Sequence, residues 1–363
     1  MSNRVRFKEK PQKVTIIYNS VDESSPFSPL DRRVADADTI NMAIDIAGNL
    51  EKVFETDLID IPLDHPESVS SIKTDIVFNL CEGVGYEFAC KVIDSLESAH
   101  IPYIGANSLN YHIGSDKALL KEVLNRFGLP TPAGQYFENP ADKVKPSLKF
   151  PLLIKPEFEH GSVGITQESV VKDVSQLKEQ ILRIKNEYKQ GVLVEEYIDG
   201  MELQLTLVGN GESLLVLPIK EILFVNGMSN RWHVVTFSAK WEEDSDEYKG
   251  TPTICPTENL DDDEKTVLEK LGREIFIKTD CQDYTRIDIR YDKKSKTPYI
   301  LDVNPNPDLS SDAAVAKAAQ AIGWDYQTLL TQLVIAAWER VTRAPRPVDK
   351  RETLLCHRPY DNQ

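Results

Sequence analysis

With 363 residues, 41% of them hydrophobic and 28% charged, the chain has the balance of a soluble globular protein and enough apolar side chains for two or three packed units. A formal net charge of -16 lacks the basic footprint that nonspecific nucleic-acid binding requires, so an anionic substrate must be met by locally placed Lys and Arg. Five cysteines, odd in number and without CxxC spacing, argue against a zinc site or a disulfide framework and for reduced cytosolic thiols.

The N-terminus is charged, and its first apolar run, Val14 to Tyr18, is a β-branched strand rather than a signal-peptide core. No window reaches the length of a membrane span, so no membrane partner and a cytoplasmic location are expected. A polar loop, Asn19 to Asp31, leads to a helix over Val34 to Leu50. Strands follow at Phe54 to Ile61, Asp75 to Leu80 and Ile101 to Ile104, with a helix over Phe88 to Ala99. Strands alternating with helices predict a parallel sheet. Ligands of such sheets sit beyond the carboxyl ends of the strands, which places the Asn19 to Arg33 loop and Glu82 near a site.

Ser115 is expected to cap a helix over Asp116 to Phe127, with a domain boundary near Gly114. The second unit holds a strand at Phe150 to Ile154, Lys155, a loop with Gly161 and Gly164, a charged helix over Val174 to Lys189, and a strand at Val192 to Tyr197. Two further strands are expected at Gln204 to Val208 and Ser213 to Ile219. The third unit has an acidic loop, Glu242 to Lys249, a helix over Asp261 to Lys278, a hairpin, and helices over Ser311 to Ile322 and Asp325 to Val341. The expected units are 1–113, 114–205 and 206–343, followed by a Pro-rich tail, 344–363.

The hairpin, RIDIRYDKKSKTPYILDVNPNPD over Arg286 to Asp308, carries the chemistry. Alternation puts Arg286, Asp288 and Arg290 on one face of its first strand, and Asp302 and Asn304 on one face of the second. Ile287, Ile289, Ile300 (with Leu301 adjoining) and Val303 face a core. Two aspartates and an asparagine side by side offer hard oxygen ligands to Mg²⁺. The competing reading is a surface hairpin with solvated charges; the run NPNPDLS favours the site, because closely spaced prolines hold Asn304 at a strand end.

Other stretches are ambiguous singly. Lys155 before a glycine-bearing loop suits phosphate, but the GxxxxGKS spacing is absent, and taken alone the glycines are better explained by an ordinary hairpin turn. Main-chain groups around Glu195, Glu196, Tyr197 and Ile198 could read an adenine edge and Glu202 ribose hydroxyls; alternatively these are exposed glutamates on an edge strand. Cys81 is either a reactive thiol or a buried structural one, and the latter is commoner.

Taken in order, Lys117, Lys155, GSVG, VEEYIDGMEL, Lys240, RID and DVNPNP resemble the ATP-grasp superfamily, and within it the D-alanine-D-alanine ligase family, over roughly Val14 to Val341. The resemblance implies an α/β fold, α+β in the ATP-binding lobes, in which an N-terminal parallel-sheet domain precedes two lobes that sandwich ATP. It implies that Lys117 and Lys155 contact the phosphates and that His160, Gly161, Ser162, Val163 and Gly164 close over them. Glu195, Glu196, Tyr197 and Ile198 line the adenine pocket, and Glu202 holds the ribose. Asp288, Asp302 and Asn304 bind two Mg²⁺ ions, with Mn²⁺ as the alternative ion, and Asp302 stands where the family usually has glutamate. Lys240 touches the γ-phosphate, and Arg286 stabilises an anionic tetrahedral species. The implied activity joins a carboxylate to an amine through an acyl phosphate, releasing ADP and phosphate. D-alanine-D-alanine ligase itself and a non-ligating ATP-binding or phosphoryl-transfer protein are the alternatives.

Three family positions depart together. A glutamate, a serine and a tyrosine that hold the first substrate fall at Arg33, Gly161 and Trp241. An arginine there attracts an acid group and repels an ammonium, which argues for a donor without a free α-ammonium near Arg33, or with an extra acid group. Asp308 and Asp312, after the metal-binding asparagine, favour an amine or basic acceptor. Family members are often dimers; no patch in the sequence decides a homodimer here.

Overall fold

In the computed structural model, described for residues 10–20, 39–83 and 86–343, three sheets stack along the chain. Arg33, most of the Asn19 to Asp31 loop, the expected helix start at Val34 and the expected tail lie outside the described residues. The first sheet has the parallel order β2-β1-β3-β4, from β1 (Lys13–Tyr18), β2 (Glu55–Asp60), β3 (Ile76–Asn79) and β4 (Tyr103–Ile104). The helices Thr39–Leu50 and Tyr86–Ser98 cover its faces, burying Ile46 and Leu50 on one side and Val92, Ile93 and Leu96 on the other. Cys81, at the end of β3, is buried, and burial pushes its thiol well above the usual range, which makes it structural.

Two corrections apply to the expected elements. A helix over Ser108–Ser115 precedes the one at Lys117–Arg126, and Asp116, not Ser115, caps the latter by accepting from Leu119 N at 2.9 Å. The strand expected over Ser213 to Ile219 is broken into a 3-10 turn at Gly211–Ser213 and two short strands, because Pro218 has no N–H to give a ladder. Gly114 lies within the unforeseen helix: a Cβ there would fall 2.6 Å from Val303 O and 2.7 Å from Pro305 Cδ. Only glycine lets that helix lie against the end of the hairpin, and Lys117 is thereby carried towards it.

The second sheet is antiparallel, in the order β5-β8-β6-β7, from β5 (Gly134–Phe137), β6 (Leu152–Pro156), β7 (Val170–Val171) and β8 (Val192–Glu196). The helix Val174–Tyr188 buries Leu177, Ile181 and Ile184 against it. The third sheet runs β12-β11-β9-β13-β14, with β10 also paired to β9. Its strands are β9 (Met201–Val208), β10 (Leu215–Val216), β11 (Lys220–Ile222), β12 (Thr253–Ile254), β13 (Tyr284–Asp292) and β14 (Thr297–Asn304). One face packs Leu203, Leu205, Ile287, Ile289, Ile300 and Val303 against the helices Lys117–Arg126 and Asp262–Lys278. Among the described residues no helix is long and apolar enough to cross a membrane.

Candidate active site

The opposite face of the third sheet is polar, and its ladder explains why. Asp288 stands opposite Asp302 and Gln204, and Gln204 opposite Lys220, so Lys220, Gln204, Asp288 and Asp302 form one row across four strands. Flanking rows hold Arg286 between Thr206 and Asn304, and Arg290 between Glu202 and Tyr299. Ile300 and Asp302 share sequence parity yet face opposite sides. A bulge between Asp288 and Ile289 of β13, with Leu301 as the extra residue on β14, reverses the phase. The bulge keeps Ile300 in the core while turning Asp302 and Asn304 onto the face of Asp288.

Arg286 grips Asp288 with both arms, Nε donating to Oδ1 at 2.8 Å and Nη2 to Oδ2 at 2.9 Å. The Asn304 amide donates to Asp288 Oδ2 at 3.2 Å and to Arg286 O at 3.1 Å, which leaves its Oδ1 available as an acceptor. Burial pushes the Asp302 carboxyl up, the ammonium of Lys117 opposes this, and Asp288 adds to it, so the group titrates above its usual range. Among the described residues no three His, Cys, Asp or Glu side chains form a metal cage on their own. Two facing aspartates with a free amide oxygen nonetheless fit Mg²⁺, which takes one or two carboxylates and completes its shell with substrate phosphates and water.

The second sheet faces this row with cations. Lys117 and Lys121, one helical turn apart, share a face of their helix. Lys155, within β6, and Glu195, on the inner strand β8, share a face of their sheet. Glu195 is 2% exposed and lies between Lys121 and Lys155 Nζ, the latter 2.6 Å away. Burial alone would push the Glu195 carboxyl up, but the two ammonium groups outweigh it and bring its pKa to about 2. The reading of Glu195 as an exposed edge-strand glutamate is thereby excluded. Lys121 also donates to Thr131 Oγ1 and Pro132 O, at 2.7 and 2.6 Å. Lys117 donates to Glu159 O, and burial pushes it below the usual lysine range while Asp302 pulls it back. Burial likewise lowers Lys155, but Glu195, Asp302 and Glu202 more than restore it.

The loop His160 to Gly164 is closed by contacts from the third unit. Ser162 Oγ donates to Val235 O at 2.8 Å, Phe237 N to Ile165 O at 2.9 Å, and Trp241 Nε1 to Gly161 O at 2.8 Å. Gly161, at φ +61°, faces the indole: a Cβ would meet Trp241 Cζ2 at 3.5 Å and Lys240 Nζ at 3.6 Å. Val163 is buried and Gly164 is pressed against Pro156. His160 Nδ1 comes to 3.9 Å from Asp302 Oδ2, but burial and then Lys117 hold its pKa well below the usual range, so the imidazole is neutral.

Glu202 pairs with Arg290, whose Nη1 donates to Gly200 O at 2.9 Å and Nη2 to His233 O at 2.8 Å. Tyr197 OH accepts from His233 N at 3.1 Å, its ring stands edge-on to Trp232, and Ile198 is half-buried beside it. Glu196 points to the other face, where it accepts from Lys149 N at 2.9 Å. Lys240 lies on the short helix Phe237–Trp241, 5.0 Å over the Trp241 ring. Burial and then Arg286 lower it, against the pull of Asp308, Asp288 and Glu82. The turn carrying Glu82 is fixed by Asn19 Oδ1, which accepts from Glu82 N and Gly83 N at 2.9 and 3.1 Å. Asn306 Nδ2 donates to Glu82 Oε1 at 3.1 Å and Asn306 Oδ1 accepts from Tyr284 OH at 2.7 Å, joining the first sheet's rim to the loop after the hairpin. Asp308 caps that loop through Ser310 N at 2.8 Å.

Most of the sequence-expected residues that the structure describes therefore meet at one cleft, with Glu196 turned away and Arg33 outside the described residues. The fold adds three that sequence reasoning passed over, Lys121, Gln204 and Lys220, and gives Arg290, whose face the alternation already placed, its partner Glu202. Lys121 was recoverable from its i+4 spacing to Lys117, and Gln204 from the alternation Glu202, Gln204, Thr206. Lys220 was hidden by the mistaken strand before it.

Residues 123–335 match the family described as D-ala D-ala ligase C-terminus. An uncharacterised protein of Sinorhizobium fredii, y4sG, is 30% identical over 308 residues, 84% of this chain and 88% of its own. A D-alanine--D-alanine ligase of a Marinomonas species is 28% identical over 298 residues, 80% and 87% of the two chains. The fold is shared with the D-alanine--D-alanine ligase of Bacillus anthracis complexed with ATP, at TM-score 0.66 and 23% identity over 92% of this chain and 99% of that one. It is shared also with the VanG D-Ala:D-Ser ligase of Enterococcus faecalis, at TM-score 0.68 and 18% identity over 90% of this chain and 100% of that one. With its parallel first sheet, its two antiparallel lobes and this match over more than half its length, the chain belongs to the D-alanine-D-alanine ligase family of the ATP-grasp fold, enzymes that use ATP to join a carboxylate to an amine.

Proposed function

We propose that the cleft between the second and third sheets is the nucleotide and ligation site, and that its substrates are a carboxylate donor and an amine acceptor other than two molecules of D-alanine. The observation that carries this reading is the opposition of charge across the cleft. A lysine cluster around Glu195 looks onto a carboxylate pair on the hairpin, and Asp302 feels Lys117 and Lys155 directly. Triphosphate needs the first and its magnesium the second.

Lys117 and Lys155 neutralise the phosphates, and Glu195 acts through Lys121 and Lys155 by holding them in place. Main-chain groups from Glu196 to Ile198 take the adenine, and Glu202, braced by Arg290, the ribose. Asp288, Asp302 and Asn304 hold the divalent ion or ions, Mg²⁺ or Mn²⁺, which supply charge neutralisation on the phosphoryl group when bound. The donor carboxylate attacks the γ-phosphorus, forming an acyl phosphate and ADP. The amine attacks the acyl carbon, loses a proton, and phosphate leaves. Arg286 and Lys240 face the charge that develops in both steps. Glu82 and Asp308 line the acceptor's approach, and Arg33 meets the donor.

Gly161 and Trp241 support the choice against D-alanine. Where the family has a serine and a tyrosine to hold the first substrate, this chain has Gly161 and Trp241: the indole N–H is spent on the Gly161 carbonyl, and neither position offers a side-chain hydroxyl to an α-ammonium. Free thiols at Cys81, Cys90, Cys255 and Cys281 suit a cytoplasmic enzyme.

The test is a carboxylate panel with ATP, Mg²⁺ and hydroxylamine, which converts an acyl phosphate to a hydroxamate and phosphate. At least one acid should yield hydroxamate in proportion to ADP, and Lys155→Ala should abolish it in a protein that still folds. ADP formation without hydroxamate from any acid overturns the ligation reading. Product from D-alanine alone, at the rate of the best donor, overturns the substrate choice.

A further inference from the structure

Lys220 ends the polar row that runs through Gln204 to Asp288 and Asp302, yet no step of the proposed ligation uses it. It is 8% exposed on the polar face of the third sheet, where its ammonium donates to Gln204 Oε1 at 3.1 Å. Among the described residues no carboxylate lies within 4.0 Å of it. Gln204 passes the chain on, Nε2 donating to Asp288 Oδ1 at 3.4 Å. A buried ammonium with one neutral acceptor is costly, because an unpaired interior charge loses its hydration without a compensating partner. The surroundings make matters worse. Lys317, exposed on the helix Ala314–Gln320, and Arg286 both press on Lys220, and with burial as the largest cause they bring its pKa down to about 8 against the weaker pull of Asp288 and Cys255.

The cations of the nucleotide side are elsewhere. Asp302, at one end of the row, feels Lys117 and Lys155, whereas the cations that act most on Lys220, at the other end, are Lys317 and Arg286. Two strand spacings of about 4.8 Å separate the backbones of Asp288 and Lys220. A group bound at Lys220 therefore lies beyond Asp288 and Arg286 from the phosphates, where a substrate and not the nucleotide extends.

We propose that Lys220 and Lys317 form an anion-binding subsite that takes an acid group carried by one of the two substrates, in addition to the carboxylate that is activated. The inference rests on the ligation reading above and deepens it. Lys220 supplies a desolvated ammonium with donors to spare, and Lys317, exposed on a helix that packs against β11, adds a second charge. Carboxylate is the expected acid. Donor and acceptor are its two sources, and the experiment separates them.

Calorimetric titration of the full chain with Mg²⁺ and ADP present, using succinate, glutarate, adipate and both enantiomers of aspartate and glutamate, is compared with monocarboxylates of matched chain length. At least one diacid should bind about 10-fold tighter than its monoacid partner. That preference should disappear in Lys220→Met, survive in Lys220→Arg, and shrink in Lys317→Ala, whose exposed position leaves folding unaffected. ADP affinity should be the same in all four proteins. The proposal is overturned if no diacid is preferred, or if the preference outlives Lys220→Met and Lys317→Ala. It is overturned also if ADP affinity falls in step with acid binding, since Lys220 would then only steady Asp288 through Gln204. A preferred diacid that alone drives hydroxamate formation is the donor; one that is consumed only beside another carboxylate is the acceptor. Diacid preference without hydroxamate from any acid sinks the ligation reading and leaves the subsite standing. Hydroxamate from monoacids without diacid preference does the reverse.

Discussion

On the second sheet, Glu195 sits between two ammonium groups and ionises at a pKa of about 2; on the hairpin, Asp302 faces Asp288 across the ladder and is pushed above its usual range. Both are buried carboxylates in one cleft. The difference lies in who supplies the counter-charge. Around Glu195 the protein does so itself, with cations in excess. On the hairpin the Arg286 guanidinium is committed to Asp288, and among the described residues Asp302 has no Lys or Arg at ion-pair distance: Lys117, Lys155 and Arg286 act on it from further away, beside a neutral His160. The first cluster is complete in the fold, whereas the second is completed by what binds. Mutations in the two clusters should therefore separate stability from activity.

The largest effect belongs to the hairpin. Asp288→Ala and Asp302→Ala should each lower turnover by about 10³-fold or more, the loss expected when metal-borne charge stabilisation worth several kcal/mol is removed. The apo protein should not suffer from the change at Asp302, whereas Asp288→Ala also leaves the Arg286 guanidinium without its carboxylate. Asp302→Asn removes one of two like charges standing directly opposite, and should raise apo stability by about 0.5–1 kcal/mol. Steady-state rates and denaturant unfolding on the same preparations check both halves. An inactive variant that is also less stable than wild type would show that Asp302 belongs to the scaffold, and the contrast would fail.

Glu195→Gln should behave in the opposite way, leaving two buried ammonium groups without their carboxylate at a cost of about 3–5 kcal/mol in unfolding free energy. The same group predicts an acid limb. Its folded pKa lies below its unfolded value of 4.5, so its contribution is fully present above that pH and is lost as pH falls towards 2. Unfolding free energy measured between pH 6 and 2.5 should drop more steeply in wild type than in the glutamine variant. Parallel curves would mean that other carboxylates govern the acid limb.

The asymmetry also separates what sequence could show from what it could not. The hairpin was legible because Arg286, Asp288 and Arg290 alternate with Ile287 and Ile289, and alternation is a local property of a strand. Its bulge was not: the shared parity of Ile300 and Asp302 signalled a conflict, but only the ladder to β13 shows that Leu301 resolves it. Glu195 is ambiguous in the sequence for a similar reason. Whether β8 is an edge or an inner strand depends on β5 and β6, which are distant in sequence, and Lys121 reaches it from a helix some seventy residues earlier. The motif order identified the family, because each motif needs only its own few residues; the lysines that set charge around those motifs needed the tertiary fold.

The smallest effect concerns the seam between the two clusters. Trp241 Nε1–H to Gly161 O helps fasten the glycine loop over the cleft, together with the bond from Ser162 to Val235 O and, next to the loop, the bond from Phe237 N to Ile165 O. Trp241→Phe keeps an aromatic face for Lys240, which lies 5.0 Å from the ring centre, and deletes the donor alone. A net hydrogen bond is worth about 0.5–1.5 kcal/mol, a factor of about 2 to 12 in an equilibrium. The Gly161 carbonyl is left at the cleft, where water can replace the indole, so the lower half of that range applies. Loop opening should become more frequent by that factor, seen as faster amide exchange over residues 160–164, and the KM for ATP should rise in proportion with kcat little changed. Global stability should stay within about 0.5 kcal/mol of wild type, as expected for a partly exposed position. If exchange in the loop is unaltered while kcat falls, Trp241 touches the reacting groups rather than the closed loop, and the clusters are coupled through chemistry rather than through closure.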